Sequence, residues 1–229
     1  MKHEEAILTD PDNPDHYLQP GRFIDSDSAE VRDYTDRAVA NAIDPVEQAV
    51  RLFRTVRDGI HYDPYTISTN PADYRASAIS ARERAWCVPK AVLLTATARA
   101  AGIPARIGFA DVRNHLQTDR LRERMNGADL FIYHGYSEMW LEGRWVKATP
   151  AFNMELCQRF GIQALNFDGR HDALLHEYTT DGHRHMEYVR DRGSHADLPL
   201  EELLAAMTAA YGPQIVKPLM DPTVDRFRP

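Results

Sequence analysis

The chain has 229 residues, enough for one ordinary domain with its own core, and its 43% hydrophobic and 27% charged residues form a globular rather than a disordered balance. The net charge of −7 argues against a main role on nucleic acid or an anionic membrane surface, and no apolar run reaches the ~20 residues of a membrane span. The start, residues 1–15, is polar and acidic and lacks the apolar stretch of a signal peptide, so a soluble, cytoplasmic protein is expected, with Cys87 and Cys157 reduced and free for chemistry.

Residues 1–25 hold several prolines and no period, and read as an extended arm. They precede a single domain over residues 26–216 and an extended, proline-containing tail over 217–229. Ser28 is expected to cap a helix running through residue 42, with Val31, Tyr34, Ala38 and Val39 on one face. Asp44-Pro45-Val46-Glu47 places a cap, a proline at the first helical position and a glutamate at the third. Val46, Ala49, Val50, Phe53 and Val56 then repeat at helical spacing up to Gly59. Residues 61–75 read as a structured loop and 76–84 as a short turn of helix. From Cys87 to Gly102 an apolar, Ala-rich run predicts a helix with no polar face, which belongs in the centre of the fold.

Residues 104–112 predict a strand. Residues 113–129 are so highly charged that a helical insertion or lid is expected there. Residues 131–141 alternate as a strand, 142–144 turn, and 145–149 return as its hairpin partner. A short helix follows at 153–160, then a second hairpin over 171–189 around Asp181-Gly182, then a last helix opened by Asp197 and Pro199 and stopped at Gly212. Helices, one buried helix and then antiparallel strands make an α+β layout.

Cys87 sits at the first turn of the buried helix. Partial positive charge and unpaired N–H groups at a helix N-terminus favour a thiolate and suit an oxyanion, although cysteine is also a common small core residue. A cysteine nucleophile needs a base. His134 begins a strand, and by alternation Tyr136, Glu138 and Trp140 share its face. In the hairpin the end of the second strand returns beside the start of the first, so Thr149 falls near His134, where a group orienting the imidazole belongs. A lone histidine on a strand is more often a satisfied, half-buried core residue.

Two blocks together carry a resemblance. One is Trp86-Cys87-Val88-Pro89-Lys90-Ala91 through Gly102-Ile103-Pro104-Ala105-Arg106. The other is His134-Gly135-Tyr136-Ser137-Glu138, Gly143-Arg144-Trp145-Val146 and Thr149-Pro150. In that order, over residues 84–150, they resemble the transglutaminase-like superfamily and its single-domain bacterial members. The resemblance implies a papain-like core, with N-terminal helices and a central Cys-bearing helix packed on an antiparallel sheet. It implies Cys87 as thiol nucleophile attacking an amide or ester carbonyl, His134 as proton shuttle and a third residue completing a catalytic triad. The acceptor is water in a cysteine protease and an amine in a transglutaminase; inactive relatives also exist. No cofactor or metal is implied, and the expected partner is a peptide or protein substrate.

The chain departs from the family at the aspartate position, which holds Thr149. A hydroxyl accepts a ring N–H but brings no charge to an imidazolium. Asn153, Asp168 and Asp172 are alternatives. The departure leaves open a weaker triad or a silent peptide-binding module on the same fold. Trp86 and Tyr136 are candidate substrate-binding residues, and Trp86 fits core packing equally well. Arg106 and Lys147 could bind a substrate carboxylate or pair with nearby acids. Cys157 reads as a packed cysteine. His183, His185 and Glu187 alternate on one possible strand face as a two-histidine, one-carboxylate metal set, or as a solvated edge.

Overall fold

The computed structural model describes residues 13–115, 117–175, 177–183 and 185–217. The first described segment is not extended. Pro14–Leu18 forms a 3-10 turn, and Phe23 and Ile24 are buried in the core. The Asp197 carboxylate holds that segment down, accepting the backbone N–H groups of Arg22 at 2.7 Å and Ile24 at 3.0 Å. Residues 1–12 and 218–229 lie outside the described residues.

Helix α1 covers Ala29–Val39 with Ser28 as its cap, and stops short of residue 42 because Ala40 turns to φ 48°. Helix α2 covers Pro45–Gly59; the Asp44 carboxylate accepts the Glu47 N–H at 2.9 Å, and Val46, Ala49, Leu52, Phe53 and Val56 form its buried face. Strand β1 (His61–Tyr62) pairs in parallel with β2 (Arg84–Ala85), with the short helix α3 (Ala76–Ile79) between them.

Helix α4, Cys87–Ala100, is the centre of the molecule and is buried from Cys87 through Arg99. Helices α1, α2 and α3 pack against it, and so do strands β3 (Ala105–Asn114) and β4 (Leu130–Leu141). Two buried cations tie its ends to the rest of the chain. The Lys90 Nζ donates to the carbonyls of Arg57 at 2.8 Å, Ile60 at 2.6 Å and Ala151 at 2.8 Å. Arg99 donates to the carbonyls of Ala105 at 2.8 Å, Gln19 at 2.6 Å and Ala196 at 2.6 Å.

The expected hairpin is present: β4 pairs with β5 (Arg144–Ala148), with Trp140 opposite Trp145. Between β3 and β4 the charged insertion carries the short helix α5, Asp119–Arg124. Helix α6 spans Met154–Phe160. The second hairpin is reduced to a tight turn, with the Thr179 N–H on the His183 carbonyl at 2.8 Å. From Met186 the chain instead forms β6, Met186–His195, which pairs antiparallel with β3 and gives the sheet order β5-β4-β3-β6. The open edge of β3 offers a longer ladder than a local hairpin could, so nearness along the chain points to the wrong partner. Helix α7, Leu200–Tyr211, closes the described fold where expected, at Gly212. Among the described residues no helix is long and apolar enough to cross a membrane.

Candidate active site

The site is built where the first turn of α4 meets β4. Gly135 makes that contact possible: a Cβ there would lie 3.1 Å from the Val88 Cα and 3.4 Å from the Ala91 Cβ. Two residues on, the Ser137 hydroxyl lies 3.0 Å from the Ala91 carbonyl and 2.8 Å from the Thr95 hydroxyl. Gly135 and Ser137 therefore face the helix, and the strand lies directly on its N-terminal turns. The Gly135 N–H and those of Val88 and Cys87 itself reach the Cys87 sulfur.

The sulfur is nevertheless not a resting thiolate. Burial pushes the Cys87 thiol up to about 11, outweighing the three N–H groups and the Lys90 charge, all of which pull it down. The lowered pKa expected from the helix N-terminus is thus reversed by loss of water around the sulfur.

His134 follows a bulge. The β3–β4 register shifts between Ala110 and Val112, and Tyr133 takes φ 56°. A bulge of this kind redirects the next side chain. It is held by Asp111, whose carboxylate accepts the Tyr133 N–H at 3.2 Å and an Arg192 Nη2–H at 2.9 Å. Tyr211 of α7 supports the same segment through its hydroxyl, which accepts the Ile132 N–H at 2.7 Å and donates to the Leu130 carbonyl at 2.8 Å.

Cys87, His134 and Trp86 line one cavity. Tyr62 and Ile67 from the loop side, Leu121 and Met125 from the charged insertion, and Met207 and Ile215 from the C-terminal segment complete most of the wall. The insertion does lie over the site, as its position between the two blocks suggested.

Other sequence candidates lie elsewhere. Tyr136 is not part of the cavity wall: its ring lies across Gly108 of β3, where an added Cβ would come within 2.3 Å of it, and Lys147 sits 5.1 Å from its centroid. Tyr136 shares the His134 face, but it lies two residues further along the strand, over Gly108 and away from the cavity. The Thr149 hydroxyl is buried and has no hydrogen-bond partner, so it makes no bond to His134; its N–H donates to the Ala173 carbonyl at 2.9 Å. Asn153 accepts the Tyr62 N–H at 3.1 Å and lies 3.4 Å from His61 Nδ1. Asp168 bonds His171 at 2.8 Å on the surface, and Asp172 accepts the Lys147 N–H at 2.9 Å.

Arg106 and Lys147 both pair with the buried Glu138 and are structural. Cys157 is buried in α6, 3.9 Å from the Phe152 carbonyl, outside the cavity. His183 approaches Asp181 at 3.6 Å, His185 stacks on Phe152 with centroids 6.1 Å apart, and Glu187 approaches His115 at 3.6 Å. These three therefore do not converge on a metal site. Among the described residues no group of three or more His, Cys, Asp or Glu side chains could hold a metal ion.

Some residues that sequence patterns do not single out matter as much as those they do. Lys90 is the one charge in the apolar stretch 87–98, and Asp111 is a carboxylate in a strand otherwise read as buried; both are signals of a structural ion. Met207, Tyr211 and Ile215 carry no such signal, because their role depends on where α7 docks.

A family profile described as the transglutaminase-like superfamily matches residues 32–150, more than half of the chain. The chain belongs to that superfamily. Among solved structures it is similar to "a Putative Cysteine Protease from Cytophaga hutchinsonii", with 16% identity and a TM-score of 0.48 over 85% of this chain and 48% of the other. It is also similar to "a Putative Protease from Parabacteroides distasonis", with 16% identity and a TM-score of 0.37 over 59% of this chain and 25% of the other. The chain thus spans about half the length of the first and a quarter of the second. No curated protein matches.

Proposed function

We propose that the protein is a cysteine hydrolase of amide bonds in a peptide or protein substrate, acting through a Cys87 thioester. The observation that carries this reading is the placing of Cys87 and His134 on one cavity, at the point where Gly135 brings β4 against the first turn of α4. In the reaction the Cys87 sulfur attacks the carbonyl carbon and its proton passes to His134. In this reading the N–H groups that act on the sulfur are the donors for the developing oxyanion. His134 gives the proton to the departing amine, the C–N bond breaks, and the thioester remains. Water then attacks the thioester, loses a proton to His134, and releases the acid as the thiol is re-formed.

A thiol pushed up to about 11 by burial keeps its proton at rest and gives it up only during attack. The Thr149 hydroxyl makes no bond to the imidazole, so in this reading another group orients His134. A cytoplasmic setting, in which both cysteines stay reduced, suits this chemistry. The test is hydrolysis of a peptide library followed by mass spectrometry. Cleavage by wild type that is lost in both Cys87→Ala and His134→Ala supports the reading, and cleavage that survives in either refutes it.

The raised thiol and the unbonded Thr149 hydroxyl also favour a second reading, a silent module that binds peptides without cutting them. Equal, saturable peptide binding by wild type and Cys87→Ala, with no product from either, is its signature.

A further inference from the structure

We infer that the site takes an uncharged, apolar residue, aliphatic or aromatic, on the acyl side of the scissile bond; this deepens, and rests on, the reading of Cys87 as nucleophile. Apart from Cys87 and His134, the cavity wall is made of aliphatic, thioether, proline and aromatic side chains; the Tyr62 and Tyr211 hydroxyls and the buried, unpartnered Trp86 indole N–H are its polar side-chain atoms, and none of these residues carries a charge. The Tyr211 hydroxyl is already turned into β4, where it bonds Ile132 and Leu130, so Tyr211 presents its ring. The three arginines of the covering helix, Arg120, Arg122 and Arg124, line no part of this cavity. An Arg124 Nη2–H donates to the Ile215 carbonyl at 3.1 Å and to the Lys217 carbonyl, and Arg120 lies over the Tyr65 ring at 5.6 Å.

A carboxylate or ammonium entering this space would give up its hydration and find no counter-ion. A glutamine side chain would bring an amide with two N–H donors and two acceptor lone pairs into a wall where the Trp86 indole N–H could meet only part of that need. A leucine or phenylalanine side chain gives up only unfavourable contact with water. The same wall therefore separates an apolar-directed hydrolase from a glutamine-directed acyltransferase.

The test uses the full chain and a series of acetyl-aminoacyl chloromethyl ketones carrying Phe, Leu, Gly, Gln, Asp or Lys. In each the Cys87 sulfur displaces chloride and forms a thioether. The second-order rate of labelling at Cys87 is read by peptide mass mapping. The Phe and Leu probes are expected to exceed the Gly, Gln, Asp and Lys probes by about 10–100-fold. Fast labelling with equal rates, or with Gln, Asp or Lys leading, overturns the apolar assignment and leaves the nucleophile reading standing. Labelling by every probe no faster than a free thiol overturns both. Met207→Glu is expected to erase the preference and favour the Lys probe. Should that variant not fold, Leu121→Ala is expected to raise Phe relative to Leu by opening the wall. A rate order unchanged in every folded variant overturns the assignment of this cavity.

Discussion

The two cysteines make an informative pair. Both are buried, and burial pushes each thiol up to about 11. Cys157 lies inside the short helix α6, its sulfur within 3.9 Å of the Phe152 carbonyl, and lines no part of the cavity. Cys87 begins a long helix, receives backbone N–H groups including that of Gly135, and shares a cavity with His134. Exposure and acidity do not separate them. What separates them is a cavity shared with His134. It comes with a strand distant in the chain, whose Gly135 approaches so closely that an added Cβ would lie 3.1 Å from the Val88 Cα.

The sharpest way to break this comparison is to remove each sulfur. Cys87→Ala should lower peptide hydrolysis by at least about 10³-fold, whereas Cys157→Ala should leave kcat/KM within about twofold and cost at most a little stability. Comparable losses in the two variants would mean that the sulfurs are equivalent packing groups. A pH series of alkylation extends the test. Each thiol is raised in the folded protein, so the folded state keeps its proton while an unfolded thiol loses it near 9. Resting alkylation should therefore climb toward pH 11 rather than level off near neutrality, and stability should fall as pH rises between about 9 and 11 through the two thiols.

Lys90→Met comes next. It removes the donor shared by the Arg57, Ile60 and Ala151 carbonyls, which anchor α2, β1 and the segment after β5 around the first turn of α4. Leaving buried carbonyls unbonded should cost about 3 kcal/mol, measured by urea unfolding. An unchanged midpoint would show that the cation is not holding these segments.

Gly135→Ala places a methyl 3.1 Å from the Val88 Cα, a backbone atom that cannot rotate away. A loss of about 1–3 kcal/mol is expected, together with a fall in kcat larger than the change in KM, because the strand carrying His134 is lifted from the helix carrying Cys87. An alanine variant as active and stable as wild type would mean that close approach is not what assembles the site.

Thr149→Ala should do least. The hydroxyl is buried without a hydrogen bond, so its removal should change stability by less than about 0.5 kcal/mol and leave hydrolysis within about twofold. A large drop in kcat in this variant would restore Thr149 as the third member of a triad.

Much of the site is legible in the amino-acid sequence. The Cys87 block and the His134 block each carry local signals: a proline near the helix start, a Gly-Ile-Pro turn at its end, and a hairpin whose turn residues set its register. These are short-range effects, and the helices and the β4–β5 pair form close to where they are expected. Tyr136 is not in the cavity wall because it lies two residues along the strand from His134, with its ring over Gly108, a packing contact that alternation does not reveal. The partner of β6 is not legible either. A ladder between strands far apart in the chain, such as Asn114 with Met186 or Ile107 with His195, leaves no mark in local pattern.

By itself, then, the amino-acid sequence determined the family, the α+β layout, the buried helix and the candidacy of Cys87 and His134. All of these rest on periodicity, turn chemistry and motif spacing within residues 84–150. Only the tertiary structure decided the acidity of Cys87, the hydrogen bonding of Thr149 and the character of the cavity. Acidity depends on how much water the packed core removes from the sulfur. The cavity depends on side chains from α5, α7 and Ile215, brought over the site by docking that no local pattern encodes.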